Sequence, residues 1–137
     1  METITTDARL AFEVRELYTI ARNWESNLAF TTHETALLRK HINALIRSGM
    51  GDDRRTKALS LLSRISRITF GIAKVKDALP AHLKMLEYLL SGSADRYTLE
   101  LVENHARLQQ RNDAVFFLFL KVKAGLQLLN EPEPACV

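Results

Sequence analysis

Residues 10–45, LAFEVRELYTIARNWESNLAFTTHETALLRKHINAL, carry an apolar or small side chain at alternating steps of four and three residues. The series is Leu10, Val14, Leu17, Ala21, Trp24, Leu28, Thr31, Thr35, Leu38, Ile42 and Leu45. A heptad repeat of this kind places one stripe along an α-helix and is typical of helices that wind around each other. The stretch therefore predicts a first long helix with one buried face.

Two later segments repeat the pattern after short breaks that contain glycine. The second series is Ala58, Leu61, Ile65, Ile68, Ile72, Val75, Leu79, His82, Leu86 and Leu89, and the third is Thr98, Leu101, His105, Leu108, Asn112, Val115, Phe119, Val122, Leu126 and Leu129. The breaks at Ser48–Asp52 and Ser91–Ser93 predict helices over about 6–48, 53–91 and 94–130. Gly92 suits a left-handed cap, and Ser93 or Asp95 can cap the third helix.

Three long helices joined by short turns predict an all-α, antiparallel up-down-up bundle. We expect one domain over residues 1–130 and a disordered tail over 131–137, which holds two of the three prolines. Pro80 lies inside the second helix, yet the heptad phase continues from Leu79 to His82. A kinked but continuous helix is therefore the preferred interpretation, with a break into two helices as the alternative.

Antiparallel packing predicts which residues share a layer of the core. Helices one and two would pair Ala21 with His82, and helices two and three would pair His82 with His105. Tyr18 and Glu25 lie on the flanking positions of helix one. The two imidazoles can hydrogen-bond to each other or to backbone, bind a metal if a carboxylate completes the set, or form a pH-sensitive contact. The further polar core residue, Asn112, is expected to fix helix register.

Sequence motifs of catalysis are missing from the chain. Neither glycine-rich nucleotide-binding pattern occurs, and His33-Glu34 lacks the second histidine of a metalloprotease motif. One cysteine, Cys136, excludes a disulfide framework and a multi-cysteine metal site. We therefore expect no enzyme, no catalytic residue, no resident metal and no cofactor.

Positive charge is concentrated in the middle of the chain. Residues 39–76 hold ten Lys or Arg and two Asp, whereas the whole chain has a net charge of +3. The predicted basic end comprises Arg39, Lys40, Arg47, Arg54, Arg55 and Lys57. Such an end can attract nucleic acid, an anionic membrane or an acidic protein. The alternative is that these charges only solvate the second helix.

Residues 114–120, AVFFLFL, are apolar on every side of the predicted third helix. Val115 and Phe119 belong to the core series, so the remaining large side chains are candidates for an interface: Phe116, Phe117, Leu118 and Leu120. Phe30 and Leu37 on the first helix are candidate neighbours. Self-association is the preferred interpretation, and an unknown protein partner or a broad core are the alternatives. The run is too short to cross a membrane.

Helix one also resembles a known kind of protein. Trp24, Leu28, Phe30 and Glu34 form a W-x3-L-x-F-x3-E pattern, preceded by Glu16-Leu17-Tyr18 and followed by Leu38 and Leu45. The pattern is similar to the first helix of small, uncharacterised bacterial proteins built as long-helix bundles. A tryptophan on the seam of the first of three long helices is also similar to spectrin-type repeats. The first resemblance implies a bacterial cytoplasmic protein of the same fold, and it carries no activity or ligand over to this chain.

The N-terminal ten residues, METITTDARL, contain no apolar run of the kind a secretory signal carries, so we expect a cytoplasmic protein. Together these features predict a non-enzymatic interaction or structural protein that forms a homo-oligomer.

Overall fold

The protein folds into three long α-helices that pack against one another. The computed structural model describes residues 2–92 and 99–131, with side chains from Ala8 onward. Helix α1 spans Glu2–Arg47, α2 spans Asp52–Leu90 and α3 spans Leu99–Asn130. The described residues contain no strand, so the predicted all-α three-helix bundle is confirmed. Helix α2 packs closely along both neighbours, whereas the contact between α1 and α3 is smaller.

The helix ends agree with the sequence to within a few residues. Helix α1 begins at Glu2, earlier than the predicted residue 6, and α2 is shifted by one residue from the predicted 53–91. The predicted caps Ser93 and Asp95 lie outside the described residues, as does the predicted tail beyond Glu131.

A glycine with positive φ follows the C-terminal end of both α1 and α2. Gly49 has φ of +88° and Gly92 has φ of +123°, conformations that other residues adopt only with strain. The amide of Gly92 donates to the carbonyl of Leu89 over 3.4 Å, and Ser91 donates to Glu87 over 3.1 Å. These bonds satisfy carbonyls at the end of α2 and confirm the predicted glycine cap.

The core follows the heptad series, with a few instructive differences. The largest fully buried side chains, all below 2% exposed, are Ile42, Ile65, Ile68, Leu86, Leu89, Val14, Val75 and Val122. Leu17, Leu38 and Leu45 are only half-buried, although they pack against this core. Leu83 is buried although it lies outside the series. Helix α2 packs against both α1 and α3, so it buries a wider face than the two positions per heptad of the series. Leu83 lies on that wider face.

Helix α2 passes through Pro80 without a break, as the unbroken heptad phase predicts. Proline cannot donate the hydrogen bond that the carbonyl of Lys76 would accept. Both Lys76 and Pro80 lie on the exposed side of the helix, where water can satisfy that carbonyl. The helix therefore continues at a cost that packing on either side offsets.

Helices α2 and α3 approach closely at two glycines. A Cβ placed on Gly71 would lie 2.7 Å from Cγ2 of Val115, and one on Gly125 would lie 2.7 Å from Cδ2 of Leu61. Both contacts match the predicted antiparallel register of these helices. Across the described residues, no helix combines the length and apolar character needed to span a bilayer.

Candidate interaction surface and buried histidine pair

The predicted histidine layer forms a compact aromatic cluster in the core. His82 and His105 are 6% and 5% exposed, and Nε2 of His82 lies 2.9 Å from Nδ1 of His105. The ring of Trp24 has its centroid 4.7 Å from that of His105 and 6.5 Å from that of His82. The structure thus brings together the two imidazoles that the register pairs. It adds the indole of Trp24, which follows Ala21 in the first heptad series.

Burial keeps both imidazoles neutral near pH 7. Removal from water lowers the pKa of His82, and it lowers the pKa of His105 to about 4 with a further contribution from the charge of His82. One neutral ring must donate to the other across the 2.9 Å contact. The second nitrogen of His105, Nε2, is buried and has no hydrogen-bond partner among the described residues. Burial therefore favours the uncharged form of the pair.

The two side chains of α1 that flank the histidine layer, Glu25 and Tyr18, bind elsewhere. Glu25 forms an ion pair with Arg22 at 2.8 Å on the surface. Tyr18 donates to Oε1 of Glu87 over 3.2 Å. Within residues 8–92 and 99–131, no group of three or more His, Cys, Asp or Glu side chains is placed to hold a metal ion. Two imidazoles alone fall short of the ligand set that a protein zinc site uses.

Asn112 differs in environment from the two histidines. It is half-buried, and its side chain forms no hydrogen bond with a described residue. It lines a groove of about 210 Å³ between α1 and α3, together with Asn27, Leu28, Phe30, Thr31, Asp113, Val115 and Phe116. Asn112 therefore lies at the edge of the core, beside a surface that holds the interface candidates.

Large apolar side chains on α1 and α3 border this groove. Phe30 and Phe116 line it directly. Leu37 follows Phe30 by two helical turns and Leu120 follows Phe116 by one, so each lies on the same face as its predecessor. All four are between 46% and 57% exposed. We call these four residues, Phe30, Leu37, Phe116 and Leu120, the apolar strip.

The two remaining interface candidates, Phe117 and Leu118, lie outside the strip. Phe117 is 58% exposed on the outer side of α3, with the Lys121 ammonium 4.6 Å from its ring centroid. Leu118 is half-buried and packs against the core. Phe116 also stacks on Phe119 at 6.1 Å, which fixes one ring of the strip to the buried face. Leu118 therefore contributes to the core, and Phe117 flanks the strip.

The predicted basic end presents most of its charge to solvent. Arg39, Lys40, Arg47, Arg55 and Lys57 are exposed. Arg54 is half-buried, and its guanidinium donates to the carbonyls of Leu129 and Glu131 at the end of α3. Of the ion pairs between described residues, only Arg22–Glu25 is formed, far from this end. The cations of the basic end therefore form no ion pair with a described carboxylate.

Comparison of the chain with protein-family models, with curated proteins and with solved structures finds no match. Its class is accordingly defined by its own architecture, an all-α bundle of three long helices. The apolar strip and the basic end are its candidate interaction surfaces.

Proposed function

We propose that this chain is a non-enzymatic interaction or structural protein that self-associates through the apolar strip. The observation that supports the proposal is that Phe30 and Phe116 line one groove between α1 and α3. Leu37 and Leu120 continue the same helix faces, and all four side chains are about half exposed. A contiguous apolar surface on a soluble domain is a common mark of a protein interface. Burial of such side chains stabilises association by roughly 25 cal/mol per Å² of apolar area, before the costs of association are subtracted.

The test is the mass of the protein in solution, measured by light scattering after size exclusion with reductant to protect Cys136. We expect a dimer or larger species that persists in about 0.5 M salt, because apolar contacts are not screened by ions. A different protein partner would instead leave the chain a monomer at both salt concentrations, and that result would overturn the proposal.

Two leucine variants, one inside and one outside the strip, test whether the association depends on the strip. Leu120 on α3 and Leu59 on α2 are 46% and 50% exposed, and each lies within a long helix. We expect Leu120→Glu to give a monomer and Leu59→Glu to keep the mass of the unchanged protein. Helical circular dichroism confirms that both variants fold. Equal loss of association in both would indicate a general effect of surface charge and argue against the strip.

A second candidate function is binding of an acidic partner through the basic end. It is favoured by the exposed cations, which form no ion pair with a described carboxylate. Binding of a labelled single-stranded oligonucleotide, and of vesicles containing phosphatidylserine, separates a nucleic acid from a membrane partner. Either interaction should weaken steeply with salt, whereas self-association through the strip should not. The variant Arg47→Glu/Lys57→Glu should abolish it.

A further inference from the structure

The side chains on the groove side of α3 have a symmetrical spacing. Asp113, Phe116, Leu120 and Lys123 are separated by three, four and three residues, so all four lie on one face of the helix. Asp113 and Lys123 stand five residues before and after position 118, and Phe116 and Leu120 stand two residues before and after it. A helix with this spacing is complementary to its own antiparallel copy.

The strip residues on α1 are arranged around the same height as those on α3. Phe30 and Leu37 stand on either side of positions 33 and 34, and Phe30 lines one groove with Phe116. Since α1 and α3 run parallel, the midpoint between Phe30 and Leu37 lies at nearly the same height as the midpoint between Phe116 and Leu120. One axis perpendicular to the helices therefore crosses both midpoints.

A two-fold axis at this height pairs each aromatic side chain with a leucine. Phe116 of one copy would meet Leu120 of the other, and Phe30 would meet Leu37 of the other copy, each pair occurring twice. An isologous two-fold interface requires this kind of self-complementarity. The alternative axis, parallel to the helices, would place the two basic ends side by side, where like charges repel.

Charge supports the same arrangement. Both Asp113 and Lys123 are exposed, and neither forms an ion pair with a described residue. The axis through position 118 sets Asp113 of one copy beside Lys123 of the other, on both sides of the apolar contacts. Two opposite charges that form no ion pair with a described residue would thus complement each other between copies.

Taking the proposed self-association as its basis, we propose that the occupant of the apolar strip is a second copy of this chain. The copy docks antiparallel about a two-fold axis between Phe116 and Leu120. The apolar pairs supply the affinity, and the Asp113–Lys123 pairs determine the direction and register of docking.

Charge exchange tests this arrangement. In Asp113→Lys, the new lysines face Lys123 of the other copy, and in Lys123→Asp the aspartates face Asp113. Each single variant should dimerise at least about tenfold more weakly than the unchanged chain, since like charges oppose docking. The double variant Asp113→Lys/Lys123→Asp should dimerise with an affinity within about threefold of the original, because both opposite pairs are formed again.

Mixing separates an effect between copies from an effect within one copy. A mixture of Asp113→Lys and Lys123→Asp chains in equal amounts should form a heterodimer in which every facing pair is again of opposite sign. Glu103→Lys is the control, because this exposed acidic residue of α3 lies beyond the Asp113–Lys123 segment. It should leave the affinity unchanged.

The outcomes distinguish the two proposals. If the unchanged chain dimerises and both single variants dimerise equally well, the antiparallel arrangement is wrong and self-association stands. Failure of the double variant and of the mixture to restore affinity would also overturn the arrangement. If the unchanged chain is a monomer, self-association fails and the arrangement fails with it.

Discussion

His82 and His105 share one hydrogen bond in the core, with Nε2 of the first 2.9 Å from Nδ1 of the second. Each residue comes from a different helix, so the bond joins α2 to α3 at a single level of the bundle. Because both rings are buried and Nε2 of His105 has no described partner, added protons have no favourable place in the folded state.

Acid should destabilise the protein before its carboxylates titrate. The pKa of His105 is about 4 in the folded state and near the ordinary 6.5 in the unfolded chain, so the unfolded chain binds a proton that the folded protein does not. Stability should therefore be constant above pH 7.5 and fall by about 2 kcal/mol between pH 7.5 and 5. Urea unfolding at several pH values measures this loss. A flat profile over that interval would contradict it.

Replacement of both histidines by leucine should remove that pH dependence. In His82→Leu/His105→Leu neither imidazole is left in the core and neither loses a hydrogen-bond partner, so we expect stability at pH 7 equal to or above that of the unchanged protein. The single variant His105→Leu leaves Nε2 of His82 without its partner and should lose about 1–3 kcal/mol. Urea unfolding of all four proteins in a double-mutant cycle checks both statements. A double variant less stable than either single variant would disprove them.

The two helical glycines should respond differently to alanine. In Gly71→Ala the new Cβ meets Cγ2 of Val115, a stiff β-branched side chain, and overpacking costs about 1–3 kcal/mol. In Gly125→Ala the Cβ meets the mobile end of Leu61, so the gain of about 1 kcal/mol in helix propensity should prevail. Thermal unfolding compares the variants. The control is Val115→Ala, which removes the Cγ2 atom that the new Cβ would meet. In that background Gly71→Ala should no longer lower the unfolding temperature.

Phe12 and Phe30 should differ in their effect on self-association, although both are 57% exposed. Phe12 precedes Phe30 by 18 residues, or five helical turns, and lies on the same face of α1. An antiparallel copy centred on the strip covers Phe30, whereas the position facing Phe12 falls beyond Arg47, where α1 ends. Phe30→Glu should give a monomer and Phe12→Glu should keep the dimer, as measured by light scattering. Loss of the dimer in both would indicate an interface along the whole helix.

The periodicity of the sequence predicts most of the core but not every side chain within it. The heptad series places His82 opposite His105 and carries α2 through Pro80 because both depend only on helical geometry. The series places Trp24 in the layer next to that of the two histidines. Heptad register predicts where the Cβ atoms lie, and the indole is large enough to extend from its own layer into the next one. The series also places Asn112 in the core, yet its side chain is half-buried. The contact between α1 and α3 is small, so water reaches the part of α3 where Asn112 lies.

The apolar strip shows a different limit of the sequence. The run from Ala114 to Leu120 predicts exposed apolar side chains on α3, and Phe116, Phe117 and Leu120 are exposed. Which residues of α1 share their groove depends on whether the third helix lies to the left or the right of the first two. Heptad spacing is the same for both arrangements, so the sequence offers Phe30 and Leu37 only as candidate neighbours, and the folded structure brings Phe30 beside Phe116.

The packing of Trp24 on the two imidazoles gives the protein a built-in optical reporter. Trp24 is the chain's one tryptophan and is 4% exposed, so its fluorescence arises entirely from the centre of the bundle. A charged imidazole quenches a neighbouring indole, and water that reaches the ring shifts its emission to longer wavelength. The emission of one unlabelled residue can therefore distinguish protonation of the core from its unfolding within the same titration.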